Sequence, residues 1–191
     1  MSREVETEYK YLISNEHFQK LLSKCDEKYN FLEHKLQANY YYDTEDNALN
    51  RSKTTVRIRQ NYNKMKLQIK KHRSENDTLT VSDEYSNKVN ELPFTMRIPD
   101  VQDTVTLKGV LITKRKIYTF GENSTICFDV NMYLGVCDYE IEIEVGEADR
   151  PEALSVIEFL GLMQEPIMSK SARFFRRLES MKNGQGYTSI C

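Results

Sequence analysis

The stretch Glu4-Val5-Glu6-Thr7-Glu8-Tyr9-Lys10-Tyr11 decides the architecture. Val5, Thr7, Tyr9 and Tyr11 fall on one face of an extended chain, and Glu4, Glu6, Glu8 and Lys10 on the other. A period of two is the signature of a strand with one buried face. The polar face of such a strand normally mixes signs, because like charges two residues apart repel and folding does not require them. Here three acids stand in a row. The same oddity returns along the chain. Val56 and Ile58 alternate with Arg57 and Arg59, and Met65, Leu67 and Ile69 with Lys66, Gln68 and Lys70. Ile126, Phe128 and Val130 oppose Asp129 and Asn131. Tyr139, Ile141, Ile143 and Val145 oppose Asp138, Glu140, Glu142 and Glu144. Several strands, some acidic and some basic, suggest a sheet whose second face lines a charged cavity, and a closed barrel gives every strand such an interior. The apolar faces then point outward, where helices must cover them. An open sheet with a solvated face and cross-strand ion pairs fits the pattern alone equally well.

The rest of the composition narrows the class. With 39% hydrophobic and 29% charged residues over 191 positions, the chain suits one domain with a sizeable core rather than a disordered or membrane protein. A net charge of −2 lacks the basic excess of a nucleic-acid binder, so no nucleic-acid partner is expected. No stretch approaches the length of an apolar membrane span, and the first residues lack an apolar targeting core. The expectation is therefore a cytoplasmic protein without a membrane partner. Cys25, Cys127, Cys137 and Cys191 are scattered, with no C-x-x-C pair and only three His, so neither zinc nor a disulfide framework is suggested.

Helices are expected near the ends. Phe18, Leu21, Leu22 and Cys25 recur at helical spacing between Ser14, a capping residue, and Lys28. Pro151 suits a first helical turn, Ala153, Ile157 and Leu160 share a face, and Gly161 ends that helix. Ser169 caps a third helix to about Met181, turning Phe174, Phe175 and Leu178 inward. Between Gln37 and Gly146 nearly everything reads as strand and turn, with Tyr40 to Tyr42 as outward packing or strand-pairing residues. The result is an α+β fold, a single domain over 1–182 with a tail at 183–191.

A charged interior has a chemistry. Carboxylates without His or Cys are hard oxygen ligands, suited to Mg²⁺ or Mn²⁺. Clustered Lys and Arg match phosphate oxygens. An acidic wall facing a basic wall is what a metal–polyphosphate complex requires, and there is no P-loop to serve instead.

These residues resemble those of a known family. Glu6-Thr7-Glu8-Tyr9-Lys10 is similar to the E-x-E-x-K signature that opens the CYTH superfamily, the triphosphate tunnel metalloenzymes. The later elements follow in that family's order. They are Tyr41-Tyr42-Asp43 before Val56-Arg57-Ile58-Arg59, then Lys66-Leu67-Gln68-Ile69-Lys70, then Asp129, Leu134-Gly135 and Glu140-Ile141-Glu142. Ser169-Lys170-Ser171-Ala172-Arg173 resembles the S-K-x-x-R of the last helix. The resemblance spans about residues 3 to 180 and is nearest to small members from Gram-positive bacteria.

The resemblance implies a closed eight-stranded antiparallel β-barrel, a tunnel with a triphosphate inside it. Carried over by position, Glu6, Glu8, Asp129, Glu140 and Glu142 would be the catalytic carboxylates and hold one or two divalent cations. Lys10, Arg57, Arg59, Lys66, Lys70 and Arg115 would grip phosphate oxygens, and Lys170 and Arg173 would close over one mouth. Glu84 is a further metal or supporting candidate. The run Thr113-Lys114-Arg115-Lys116 leaves its register open by one. An extra residue after Gly135 leaves the acidic pair as Glu140/Glu142, which we take, or Glu142/Glu144. Glu144 and Asp138 otherwise read as solvated strand ends.

The expected activity is metal-dependent hydrolysis of a small triphosphate. Inorganic tripolyphosphate comes first because nothing in the sequence marks a base or thiazolium pocket. Thiamine triphosphate hydrolysis, adenylyl cyclase activity and a non-catalytic polyphosphate or nucleotide sensor stay open. So does the choice between monomer and homodimer.

Overall fold

The structure is a computed structural model that describes residues 1–76, 79–99, 101, 103–163 and 167–184. Its strands are β1 (Ser2–Ile13), β2 (Asn30–Asp43), β3 (Thr54–Asn61), β4 (Lys64–Asn76), β5 (Leu79–Val89), β6 (Thr95–Met96), β7 (Val105–Phe120), β8 (Ser124–Tyr133) and β9 (Val136–Glu144). All pair antiparallel in the order β2-β3-β4-β5-β1-β9-β8-β7, with the two-residue β6 added at the β7 edge. A long β2–β7 ladder, from Asn30↔Thr119 to Asp43↔Thr106, joins the first strand of that order to the last. Eight strands therefore close into a barrel, and the open-sheet alternative falls away.

The helices are α1 (Asn15–Lys28), the single-turn α2 (Ala48–Arg51), α3 (Arg150–Leu160) and α4 (Lys170–Lys182). Their ends follow the expected chemistry. The Ser14 Oγ accepts from His17 N at 3.2 Å, and Ser169 Oγ from Ala172 N at 3.2 Å. Each satisfies an orphan first-turn donor. Gly161 adopts φ +65° after α3, and the next amide, of Leu162, reaches back to Ile157 O at 3.1 Å. That left-handed turn is open to glycine at little steric cost. The third expected helix ends one residue beyond Met181, and residues 185–191 of the expected tail lie outside the described residues.

The apolar faces point outward and are covered, as a charged interior demands. Tyr11, Ile126, Phe128, Ile141 and Ile143 on β1, β8 and β9 pack under Phe18, Leu21 and Cys25 of α1 and Val156 and Leu160 of α3. On the opposite wall, Tyr42, Val56, Ile58 and Ile69 pack with Ile98, just after β6, and Val105, at the start of β7. A third cluster lies inside. Phe174 and Phe175 of α4 pack on Tyr41, Leu111 and Tyr133, with the Tyr41 and Phe174 rings 5.0 Å apart. Tyr41 thus departs from the outward reading of Tyr40 to Tyr42. Strand alternation sends only Tyr40 and Tyr42 outward, and the central ring becomes the seat of α4. Gly109 makes room for that seat, since a Cβ there would lie 2.9 Å from Phe174 Cζ. Full burial of one such ring is worth about 1.5–3 kcal/mol, enough to fix α4 across one mouth of the barrel. No helix among the described residues is long and apolar enough to cross a membrane.

Candidate active site

Alternation and register together build the bore. β1 turns Glu6, Glu8 and Lys10 inward, and its pairing with β9 sets Lys10 opposite Glu142 and Glu8 opposite Glu144. The β7–β8–β9 ladders align Arg115 with Asp129 and Asp129 with Glu140. On the other side Arg57 stands opposite Gln68, and Lys70 opposite Glu84. Opposite signs thus meet across β7–β8, β1–β9 and β4–β5, whereas β3 stands between the neutral inward residues of β2 and the basic ones of β4. Arg115 is the inward member of its run, which settles the register left open there.

The contacts are dense. Lys70 Nζ lies 2.5 Å from Glu6 Oε2 and 2.5 Å from Glu8 Oε1, and Lys10 Nζ is 2.8 Å from the same Glu8 oxygen. Arg115 holds Asp129 with a two-pronged contact, Nε to Oδ1 and Nη2 to Oδ2, both 2.7 Å. It also donates to Glu142 and, at 2.8 Å, to Glu144 Oε1. From the mouth, Lys170 Nζ approaches Asp129, Glu140 and Glu142 at 2.8, 2.9 and 2.8 Å. Arg173 donates to Glu140 Oε2 at 2.7 Å and Asp138 Oδ2 at 3.0 Å. On the β3–β4 wall, Arg57 Nε donates to Gln68 Oε1 at 2.9 Å and its Nη2 to Glu84 Oε2 at 3.2 Å, while Gln68 donates to the other Glu84 oxygen.

Two groups are left over. Arg59 gives its Nε to Asn39 Oδ1 at 2.9 Å and makes no ion pair among the described residues. Glu140 Oε1 is buried without a hydrogen-bond partner. A half-buried guanidinium without an anion and a buried carboxylate oxygen without a donor are both costly unless something else completes them.

The protonation equilibria express the same crowding. Burial alone would raise the Glu8 carboxyl, but Lys10 and Lys70 outweigh it and bring it down to about 2. Burial likewise opposes ionisation of Glu142, and Lys170, Arg115 and Lys10 overcome it, holding that carboxyl well below the usual range. Glu6 goes the other way: burial and the neighbouring Glu8 raise it, with Lys70 only partly compensating. Burial, then repulsion from Arg57 and Arg115, pulls Arg59 down to about 10. Burial also disfavours charge on Lys70, but Glu8 and Glu6 raise it above the ordinary value.

Most sequence candidates converge: Glu6, Glu8, Lys10, Arg57, Arg59, Lys70, Arg115, Glu142 and Lys170 line one narrow cavity. Asp129 and Glu140 join it through Lys170, and Arg173 through Glu140. Lys66 does not join: it sits on the inward face but near the open end, exposed to solvent and opposite Arg59 and Lys88. Glu84 supports Arg57 rather than standing free. Asp138 is no solvated strand end, since Arg173, Asn131 and Tyr133 all donate to it. Glu144 is half-buried against Arg115, so Glu140, Glu142 and Glu144 all face the bore. Sequence reading missed Gln37, Asn39 and Tyr41 on β2, whose alternation with Ala38, Tyr40 and Tyr42 carried the signal. It also left Thr55, Thr113 and Ser171 out of the lining.

The donor set fits a hard divalent cation, being all carboxylate oxygen near the Lys170 mouth, with the unpartnered Glu140 Oε1 among it. Among the described residues no three carboxylates stand grouped as a ready-made metal site, and Asp129, Glu140 and Glu142 converge instead on Lys170 Nζ. A cation would take the place of those ammonium and guanidinium contacts.

A closed antiparallel β-tunnel, charged with both signs inside and stoppered by a C-terminal helix, is the class that fold and site define. The chain belongs to the CYTH domain family, whose profile matches residues 4–175. It is similar to YjbK of Bacillus subtilis, a candidate triphosphatase by name, at 28% identity over 188 residues, covering 92% of this chain and 96% of that one. Among solved structures it resembles a Bacillus halodurans protein described as a candidate adenylate cyclase. The identity is 26% and the TM-score 0.70, covering 92% of this chain and all of the other. HpAC1 from Hippeastrum, described as a candidate adenylyl cyclase with a dominant triphosphatase activity, shares the fold at TM-score 0.72 and 23% identity. The match covers 90% of this chain and 95% of that one.

Proposed function

We propose that this chain hydrolyses a small triphosphate inside the tunnel, with inorganic tripolyphosphate as substrate, orthophosphate and pyrophosphate as products, and Mg²⁺ or Mn²⁺ as cofactor. The observation that carries the reading is Arg59, a half-buried guanidinium that lines the cavity near Arg57 and Arg115 and makes no ion pair among the described residues. Such a cluster is complete only with an anion, and a phosphate chain supplies several oxygens along the bore. The triphosphatase name of YjbK points the same way.

The free space in the tunnel is about 40 Å³, the scale of a single water, so substrate binding has to be an exchange of partners. Lys10, Lys70, Arg115 and Lys170 turn from carboxylates to phosphate oxygens, joining Arg57 and Arg59. Arg173 follows at the mouth. Glu6, Glu8, Asp129, Glu140 and Glu142, freed of those contacts, are the residues that would hold the metal. When bound, a divalent cation offsets phosphate charge and polarises the bond to be broken. The cations of the basic wall hold the chain in line and stabilise charge on the leaving diphosphate. A carboxylate of the Asp129, Glu140 and Glu142 group orients water toward the terminal phosphorus.

A second reading is cyclisation of ATP, favoured by the description of the Bacillus halodurans protein. The same grip on three phosphates serves both reactions, and only the orientation of the substrate differs. Product analysis separates them. Tripolyphosphate, ATP and thiamine triphosphate are each incubated with Mg²⁺ or Mn²⁺ and resolved by ion chromatography, with Glu8→Gln as control. Orthophosphate and pyrophosphate from tripolyphosphate, lost in the control, are expected. Cyclic AMP as the main product would replace the hydrolase reading with the cyclase. Absence of turnover on all three would leave only a binding protein.

A further inference from the structure

Outside the tunnel, a cavity of about 680 Å³ opens between the end of β1, the β8–β9 turn, the residues that follow α3, and one face of α4. The volume is that of a site for a small organic molecule, far above the tunnel's own free space. Its walls have two characters. Leu12, Ile13, Leu162, Met163 and Met168 give a mainly aliphatic lining, with the largely buried Tyr11 and Tyr133 and the exposed His17 as its rings. Along α4, Arg173, Arg176 and Arg177 border the same space on one helical face, and no Asp or Glu is among its described lining residues.

The arginines differ in their commitments. Arg173 is taken up by Asp138 and Glu140, and Arg177 donates to Leu134 O at 3.3 Å. Arg176 is exposed at the rim, and its one contact among the described residues is a weak donation to Met168 Sδ at 3.6 Å, so no described residue compensates its charge. Met163 is 76% exposed beside it, an expensive place for an apolar side chain unless something covers it. Methionine pairs with such a role because its flexible thioether adapts to chains of varied shape.

We propose that this cavity is a binding site for an amphipathic anion, a phosphate or carboxylate head on an aliphatic chain, separate from the triphosphate seat. The head lies against Arg176 at the rim, and the chain runs inward along Leu12, Leu162, Met163 and Met168. An aromatic base or ring is disfavoured because the lining is mainly aliphatic. The site touches the tunnel at two residues, Lys10 and Arg173, which border the cavity while holding Glu8, Asp138 and Glu140.

The test is calorimetric titration of the full chain with dodecyl phosphate below its micellar concentration. One molecule per chain should bind, with inorganic phosphate and dodecanol each at least roughly tenfold weaker, since each lacks one half of the recognition. The exposed substitutions Arg176→Glu and Met163→Asp should each weaken the probe roughly tenfold or more without lowering the melting temperature. Arg59→Gln, inside the tunnel, should leave its binding unchanged, and saturating Mg²⁺ with tripolyphosphate should not displace it. Displacement by tripolyphosphate, or loss in Arg59→Gln, would put the head group in the tunnel and overturn the separate site. Binding that survives both rim substitutions, or inorganic phosphate binding as tightly as the probe, would overturn it as well.

Discussion

Arg115→Met is the substitution that tests the charged bore most sharply. Arg115 is 7% exposed and holds Asp129 with two 2.7 Å contacts while also serving Glu142 and Glu144. Methionine keeps much of the volume, so the loss is chiefly electrostatic. Asp129 and Glu142 retain Lys170, but Glu144 is left with Thr125 Oγ1 at 3.3 Å and the distant Cys127 thiol. Removing one partner of a buried ion cluster costs about 3–5 kcal/mol, here because Asp129 and Glu142 stay buried with only the Lys170 contact to offset both, while the half-buried Glu144 can rehydrate. For a chain of this length that is a fall of roughly 6–20 °C in melting temperature. Urea unfolding at pH 7 and pH 4 reads both the size and the origin. The deficit should shrink at the lower pH, where the stranded carboxylates can take up protons. A loss below about 1 kcal/mol at pH 7, the range of an exposed pair, would refute the reasoning.

Further outcomes follow from single residues. Glu8 titrates near 2 in the fold against an ordinary 4.5, so its contribution to stability is complete above about pH 4.5 and fades as pH falls toward 2. Urea midpoints should accordingly hold between pH 7 and 5 and drop below 4.5, and a Glu8→Gln variant should lose part of that slope. Gly109→Ala would force a Cβ to 2.9 Å from Phe174 Cζ at a backbone φ of +152°, and should cost about 1–3 kcal/mol by loosening α4, read by chemical denaturation. Gln68→Leu removes the acceptor of Arg57 Nε and should raise KM for tripolyphosphate several-fold, by roughly 1 kcal/mol of misplaced guanidinium, with a smaller effect on kcat. Unchanged KM would show that Glu84 alone positions Arg57.

What was legible came from alternation. Glu6, Glu8, Arg57, Arg59, Glu140 and Glu142 share one face of their strands because apolar and charged residues alternate there, and their runs of one sign marked that face as unusual. The same pattern could not tell a barrel from an open sheet, since closure rests on the β2–β7 ladder, a contact between residues some seventy positions apart in sequence. Tyr41 was misread because three tyrosines in a row hide the alternation. Asp138 was misread because its partner, Arg173, arrives from a helix that follows the last strand. Lys66 shares the strand face of Lys70, yet it lies beyond the closed part of the bore, and strand periodicity carries no depth. The aliphatic cavity beside α4 was invisible, since Leu12, Met163 and Arg176 come from three separate elements.

The central claim is that the tunnel holds its own ions in place of a metal and a phosphate chain. Thermal melting of the wild-type chain with Mg²⁺, with tripolyphosphate, and with both together tests it most directly. Each alone should shift the transition little, because one wall would gain a partner while the other lost its own. Both together should raise it by roughly 5 °C or more at ligand concentrations about a hundred times the dissociation constant. A melting temperature that does not move with both present would contradict the account.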